Sequence, residues 1–284
     1  MKIKQLKEVL GFLALRLCMV LVMAILVVVF WDIVTKGGGA VSWELLTQPP
    51  KDGMTKGGIF PAIVGTLLVT LMTALLAVPL GMGCAMYLNE YALDCKFTRF
   101  IRMSIRNLSG VPSIVYGLFG VALFVEACNF GTSILSAGCT LGLMTLPLTI
   151  TASEEALKAV PRSYREGALA LGATKWQSIR TNVLPYAVSG MLTGTILGLS
   201  RAAGETAPIL FTGAAFFLPD LPGSLLSQFM ALPYHLYILS TQHHDTALVR
   251  PLAYGTALVL LILIFIMNLF AIILRSRLRQ MKKE

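Results

Sequence analysis

The chain has 284 residues, of which 56% are hydrophobic and 13% charged, with a mean hydropathy of +0.77 and a formal net charge of +9. That composition is outside the range of water-soluble domains, and the positive charge is dispersed between apolar runs, which excludes a nucleic-acid-binding globule. What remains is an all-α membrane protein that crosses the bilayer several times.

The placement of charge orients it. Of the 23 Lys and Arg, 18 fall in four segments: the amino-terminal stretch, residues 89–110, the stretch from Lys158 to Arg180, and the carboxyl tail. The connections between these hold four, and Arg201 stands alone inside an apolar run. Such alternation predicts that both termini and the segment 153–185 face the cytoplasm. Cys18, Cys84, Cys95, Cys128 and Cys139 have no paired or ligand spacing and read as small core residues.

In chain order, a first span is expected from about Leu10 to Trp31, too long for a signal peptide and without a convincing cleavage site. Residues 32–58, with Gly37, Gly38, Gly39, Pro49 and Pro50, read as an external loop of little regular structure. A second span lies within Ile59–Leu88, and Pro79, flanked by Gly81 and Gly83, is expected to kink or split it. A basic loop, 89–110, precedes a third span from near Asn107 to Val125 and a fourth within Phe130–Thr151. Spans five and six run from about Tyr186 to Phe211 and from Leu252 to Leu274, making six in all. Between them, the connection from Thr212 to Pro251 contains a stretch that suits a short helix lying on the membrane surface. Its His235, His243 and His244 are expected to be solvated, with no metal and no cofactor.

The most polar insertion is Ser153–Pro185. In it Glu166, Gly167 and Ala168 are followed by three residues, Gly172, nine residues, then Asn182, Val183, Leu184 and Pro185. Ala168, Leu169 and Leu171 can form a small apolar face, and Gly172 is suited to the left-handed backbone that ends a helix. The pattern resembles the EAA loop of ABC-importer permeases, although Gly167 and Asn182 replace the Ala and Ile usual there. The resemblance implies two short helices joined at the Gly, docked in a cleft of a cytoplasmic ATPase through Glu166, Gly167, Ala168, Gly172, Leu184 and Pro185.

Ser200–Pro208, SRAAGETAP, places Arg201 and Glu205 one helical turn apart, where they can pair. Ionisable groups at bilayer depth cost at least about 2.5 kcal/mol each on insertion scales and usually face a bundle interior or a water-filled path. One reading is a structural ion pair. The other is an anion path, in which Arg201 attracts the anion and Glu205 occupies the guanidinium when none is present. Glu205 can also accept a hydrogen bond from hydrogen phosphate, which sulfate cannot donate.

Together with GVPSIVYGLFG (110–120) and PLGMGCAMYLNEYA (79–92), RAAGETAP resembles the permease subunits of bacterial phosphate ABC importers, of the PstA type. The resemblance implies a type I (MetI-like) permease in the inner membrane. Implied with it are a PstC-type second permease, two copies of a cytoplasmic ATP-binding subunit and an external phosphate-binding protein. The chain has no G-x-x-x-x-G-K-[ST] loop, so ATP hydrolysis is expected on the partner and no catalysis here. The expected division is 1–58 for the first helix and external loop, 59–275 for the transmembrane domain, and 276–284 for a basic tail. A permease for sulfate or molybdate, and an ion-coupled secondary transporter, are the alternatives.

Overall fold

The computed structural model describes residues 2–280, and it is almost wholly helical. Helix α1 is Lys2–Gly38, α3 is Phe60–Met86, α6 is Ile134–Lys158, α9 is Leu184–Gly204 and α12 is Thr246–Gln280; each is long and apolar enough to cross a bilayer. A bent pair, α4 (Lys96–Leu108) and α5 (Ser113–Gly120, prolonged to Ala127), which meet at 104°, makes a sixth candidate when counted as one broken span. Among these, α6 is the centre: α3 packs on one side of it and α9 on the other. By contrast α1 buries almost nothing within the chain and touches α12, where Lys36 and Tyr254 both bind the Asp32 carboxylate, at 2.6 and 3.0 Å.

Lipid supplies no hydrophobic force between helices, so the central three meet through small and back-bonded residues. Thr66, Thr70 and Thr73 on α3 are buried, and each hydroxyl donates to the carbonyl four residues earlier, at 2.7, 2.7 and 2.8 Å. Gly81 sits against Thr149 of α6, and a methyl at Gly194 of α9 would overlap the Ala152 side chain.

Several expectations are corrected. α3 is not split at Pro79; the proline faces outward, while Ala77 and Gly81 beside it are buried in the bundle and hold the helix through the lost bond. The third span begins at Ser113, not near Asn107, because residues of the expected basic loop form the amphipathic α4. The fourth runs on to Lys158, so Ser153 and Glu154 are buried helix, not loop. The last residues of the expected fifth span, from Ala207 to Phe211, belong with Thr212 to a separate helix, α10 (Ala207–Thr212). Cys18, Cys95 and Cys128 are exposed and only Cys84 and Cys139 are half-buried, so the core reading fails for three of the five. The start of the expected tail continues α12, and residues 281–284 lie outside the described residues.

The external connections are ordered. Residues 43–57 form a short helix, α2 (Trp43–Thr47), and a small hairpin pairing Pro50 with Gly57. Its Met54 is buried with Ile238, Leu239 and Val249. The expected surface helix, α11 (Leu232–Tyr237), is instead packed inside the outer end of the bundle, with Phe229, Met230 and Leu232 buried and the Leu232 amide donating to Thr66 Oγ1 at 2.8 Å. Nor are its histidines all solvated. His243 donates from Nε2 to the Gly53 carbonyl at 3.0 Å and accepts the Asp245 amide at 3.1 Å, a structural pin, while His244 is exposed and stacked on it.

His235 is 1% exposed and neither ring nitrogen has a hydrogen-bond partner, so burial pushes its pKa from 6.5 down to about 4. The folded pKa lies below the unfolded one, so this group's contribution is complete above pH 6.5 and is lost as pH falls towards 4. Between pH 7.5 and 5 that loss is about 2 kcal/mol. Thermal melts of the purified protein across this range are expected to flatten by that amount in His235→Leu; an unchanged slope would show that the imidazole is not held neutral.

Candidate functional site: the polar loop and the broken fifth span

Two places gather the residues singled out from sequence. At its carboxyl end, α6 leads through Ala159–Pro161 into α7 (Arg162–Ala170), and α8 (Lys175–Ser178) follows after a tight turn. The turn is closed by the Ala173 amide on the Ala168 carbonyl, 3.1 Å, and the Gly172 amide on the Leu169 carbonyl, 3.0 Å, with Gly172 at φ +82°. This double bond pattern needs a left-handed residue at that position, which glycine supplies without strain. Thr174 then caps α8: its hydroxyl accepts the Gln177 amide at 3.3 Å, and the Gln177 carbonyl oxygen accepts the Thr174 amide at 2.7 Å. The glycine joins two helices as expected, but only α7 is short: α8 continues through a wide turn, Ile179–Val183, into α9 as one helical run, Lys175–Gly204.

Glu166, Gly167 and Gly172 are exposed and Ala168 is half-buried. The apolar face includes Leu169 and Leu171, the latter 91% exposed, and Trp176, which the sequence reading did not single out although an exposed Trp beside a tight turn is a usual mark of a binding surface. Leu184 and Pro185 lie elsewhere: they are the half-buried first turn of α9, where proline needs no amide partner.

The second place is the outer end of α9. The helix stops at Gly204, Glu205 is extended (φ −77°, ψ 134°), and the chain resumes as α10, Ala207–Thr212. Arg201 Nε donates to Glu205 Oε1 at 3.1 Å across this break, with the Arg201 side chain 60% and Glu205 18% exposed. The pair exists, but Glu205 is not on the helical face imagined for it. The break also brings together two of the three stretches that carried the phosphate resemblance. α5 packs on α10, and a Cβ at Gly117 would stand 3.1 Å from Pro208 Cα and 3.2 Å from the Ala207 carbonyl oxygen. One turn earlier, the Ser200 hydroxyl bonds the Ile196 carbonyl at 2.7 Å and meets Asn268 Oδ1 of α12. Asn268, an amide within the last apolar run, was legible as an intramembrane polar group and was missed. Ser200 and Asn268 line an apolar groove of about 510 Å³ between α3, α9 and α12, on roughly the opposite face of α9 from Arg201.

A family model described as "Binding-protein-dependent transport system inner membrane component" matches residues 77–280. The chain belongs to that family. It is 32% identical over 267 residues to the "Probable ABC transporter permease protein YqgI" of Bacillus subtilis (strain 168), covering 90% of each chain. It is 34% identical over 257 residues to the "Phosphate transport system permease protein PstA 1" of Mycobacterium tuberculosis (strain CDC 1551 / Oshkosh), covering 88% of this chain and 82% of the relative. Among solved structures it resembles the MetNI methionine ABC transporter in its inward-facing conformations, with a TM-score of 0.58 at 16% identity over 78% of this chain and 94% of that one. The fold is therefore that of a type I, MetI-like importer permease, with several apolar crossings. Among the described residues no group of His, Cys, Asp or Glu is placed to hold a metal ion.

The permease also carries a buried ion pair that its sequence did not announce. Arg102 of α4 approaches Glu154 of α6 at 2.7 Å and donates to the Leu88 carbonyl at 2.8 Å, and Lys158 joins Glu154 at 3.1 Å. The Glu154 side chain is 8% exposed, so it is held in the helix by charge neutralisation, which is why the polar residues after Thr151 do not end the span. Removing one partner of a buried pair strands the other. Glu154→Ala is expected to cost about 3 kcal/mol of stability, and Arg102→Ala plus Glu154→Ala less than the sum of the two singles. Denaturation of the three variants in detergent measures both, and additive single effects would count against the pair.

Proposed function

We propose that this chain is the membrane-spanning permease subunit of an ATP-driven phosphate importer in the bacterial inner membrane. The observation that carries the reading is RAAGETAP folded as a broken span, with Arg201 and Glu205 paired across the break and α5 packed against it. The relatives named as phosphate transport permeases support the same substrate. An exposed guanidinium at an otherwise packed helix end is suited to drawing in an oxyanion where a second, PstC-type permease closes the path. Glu205, free to release Arg201, prevents tight trapping and accepts a hydrogen bond donated by the protonated oxygen of hydrogen phosphate.

The subunit does no chemistry itself in this reading. Two copies of an ATP-binding subunit supply the energy from the cytoplasm, one docking on Glu166, Gly167, Ala168, Leu169 and Leu171, and an external binding protein delivers phosphate. Termini and loop in the cytoplasm follow from the Lys and Arg asymmetry. ATP-driven closure of the ATPase dimer pulls the loop and rocks the spans between inward-open and outward-open.

Vesicles containing the whole complex test this. Native vesicles are expected to accumulate radiolabelled phosphate with ATP, and sulfate not to compete. Glu166→Arg, which reverses an exposed charge without touching a span, is expected to assemble and to lose uptake about tenfold or more. Arg201→Gln is expected to lower phosphate uptake by a similar factor, since a charge-assisted contact to an anion is lost. Accumulation of another oxyanion in place of phosphate would overturn the substrate while leaving the architecture.

A further inference from the structure

Glu166 has a neighbour that faces the other way. Arg165 of α7 turns back into the protein, where Nε donates to Glu90 Oε1 at 3.3 Å and Oε2 at 3.2 Å, and Nη2 donates to Oε1 at 2.8 Å. The remaining donors are spent on the end of α6: Nη1 on the Val160 carbonyl at 2.8 Å and Nη2 on the Leu157 carbonyl at 2.9 Å. The Glu90 side chain is 6% exposed and that of Arg165 22%, and Asn89 Nδ2 adds a bond to Glu90 at 2.8 Å. Glu90 stands on a wide turn, Tyr87–Tyr91, closed by the Ala92 amide on the Tyr87 carbonyl, that prolongs α3.

Tethering alone does not call for such a device. Two charges taken from water are costly, and a pair of apolar side chains would hold a loop against a helix at least as well. What the planar guanidinium adds is direction: four of its N–H donors, held in a fixed fork, tie α7 to α3 and to the end of α6 at once, and α7 cannot slide against either without breaking several short bonds. The wide turn is a deformable place in the helix on which the load falls. Lys175, over the Tyr91 ring at 5.2 Å, ties α8 to the same turn.

We propose that Arg165 is the positioning residue through which displacement of the α7–α8 loop reaches α3, by way of Glu90, and α6, by way of the Leu157 and Val160 carbonyls. The proposal rests on the importer reading above. Glu166 and the apolar turn receive the push from the ATPase; Arg165, one residue earlier, delivers it to the bundle.

The test is phosphate taken up per ATP hydrolysed by the complete reconstituted complex, with co-purification of all subunits as the check on assembly. Arg165→Gln and Glu90→Gln are each expected to hydrolyse ATP at the basal rate while uptake per ATP falls about tenfold, and the double variant to be no worse than either single. Arg165→Lys keeps the Glu90 charge neutralised, so the site folds, but it cannot hold the carboxylate and both carbonyls. Its uptake per ATP is expected to fall about threefold. Uptake and hydrolysis falling in proportion, or Arg165→Lys at the native ratio, would overturn the link and leave the importer standing. A native complex without ATP-dependent uptake would instead remove the importer reading, and this proposal with it.

Discussion

Inside a bilayer no water is available to a charge, and the whole architecture answers to that constraint. Helices meet through Gly, Ala and back-bonded Thr because lipid gives no hydrophobic reward for anything else, and the ionised groups at the ends of spans are paired. Glu154 is neutralised by Arg102 and Lys158, Glu90 by Arg165, and Asp32 by Lys36. These are three of the 14 acidic residues in the chain. The Glu154 and Glu90 pairs knit the ends of α3, α4 and α6 to the α7–α8 loop, whereas the opposite ends are joined by buried apolar segments of the connections.

At the end away from the α7–α8 turn, Met54, Phe229, Met230, Leu232 and Ile238, drawn from two connections, are buried in three neighbouring apolar clusters. Cores of this kind resist deformation as a body. At the end nearest the α7–α8 turn, directional polar ties such as Arg165 to Glu90 run beside an apolar cluster that includes Leu88, Leu157, Val160 and Val183. A pull on α7 meets Arg165 first, and through it the carbonyls that terminate α6. An element made of discrete bonds has discrete alternatives, which is what a transport cycle with two open states asks of it.

How much of this was legible depended on whether the decisive contact was local. The turn at Gly172 was readable because its whole logic, a left-handed residue closing one helix before Thr174 caps the next, lies within a dozen residues. The approximate number of crossings was readable from hydropathy, and their orientation expectation from charge. The ends of the spans were not. Ser153 and Glu154 look like loop until Arg102, 52 residues earlier by number, is brought alongside, and α11 looks like a surface helix until Gly65 and Thr66 open a seat for it on α3. Arg102 itself sat in a basic run that read as loop, although the apolar and basic residues of Lys96–Leu108 already alternate with helical spacing.

The fifth span shows the same limit from the other side. Spacing brought Arg201 and Glu205 together on an assumed helix, and the pair is there, yet the helix is not: Glu205 reaches back across a break whose cause lies partly in Pro208 and partly in the backbone of α10 seated against Gly117 of α5. A pair within an unbroken helix moves as one rigid unit, and its charges separate only by side-chain rotation. A pair that straddles a break changes its separation whenever the two helical pieces hinge, with no rotamer change needed. Arg201 is held by α9, Glu205 by the junction to α10, and α5 leans on α10. Any motion that shifts α10, and α5 with it, against α9 therefore changes the separation of Arg201 and Glu205.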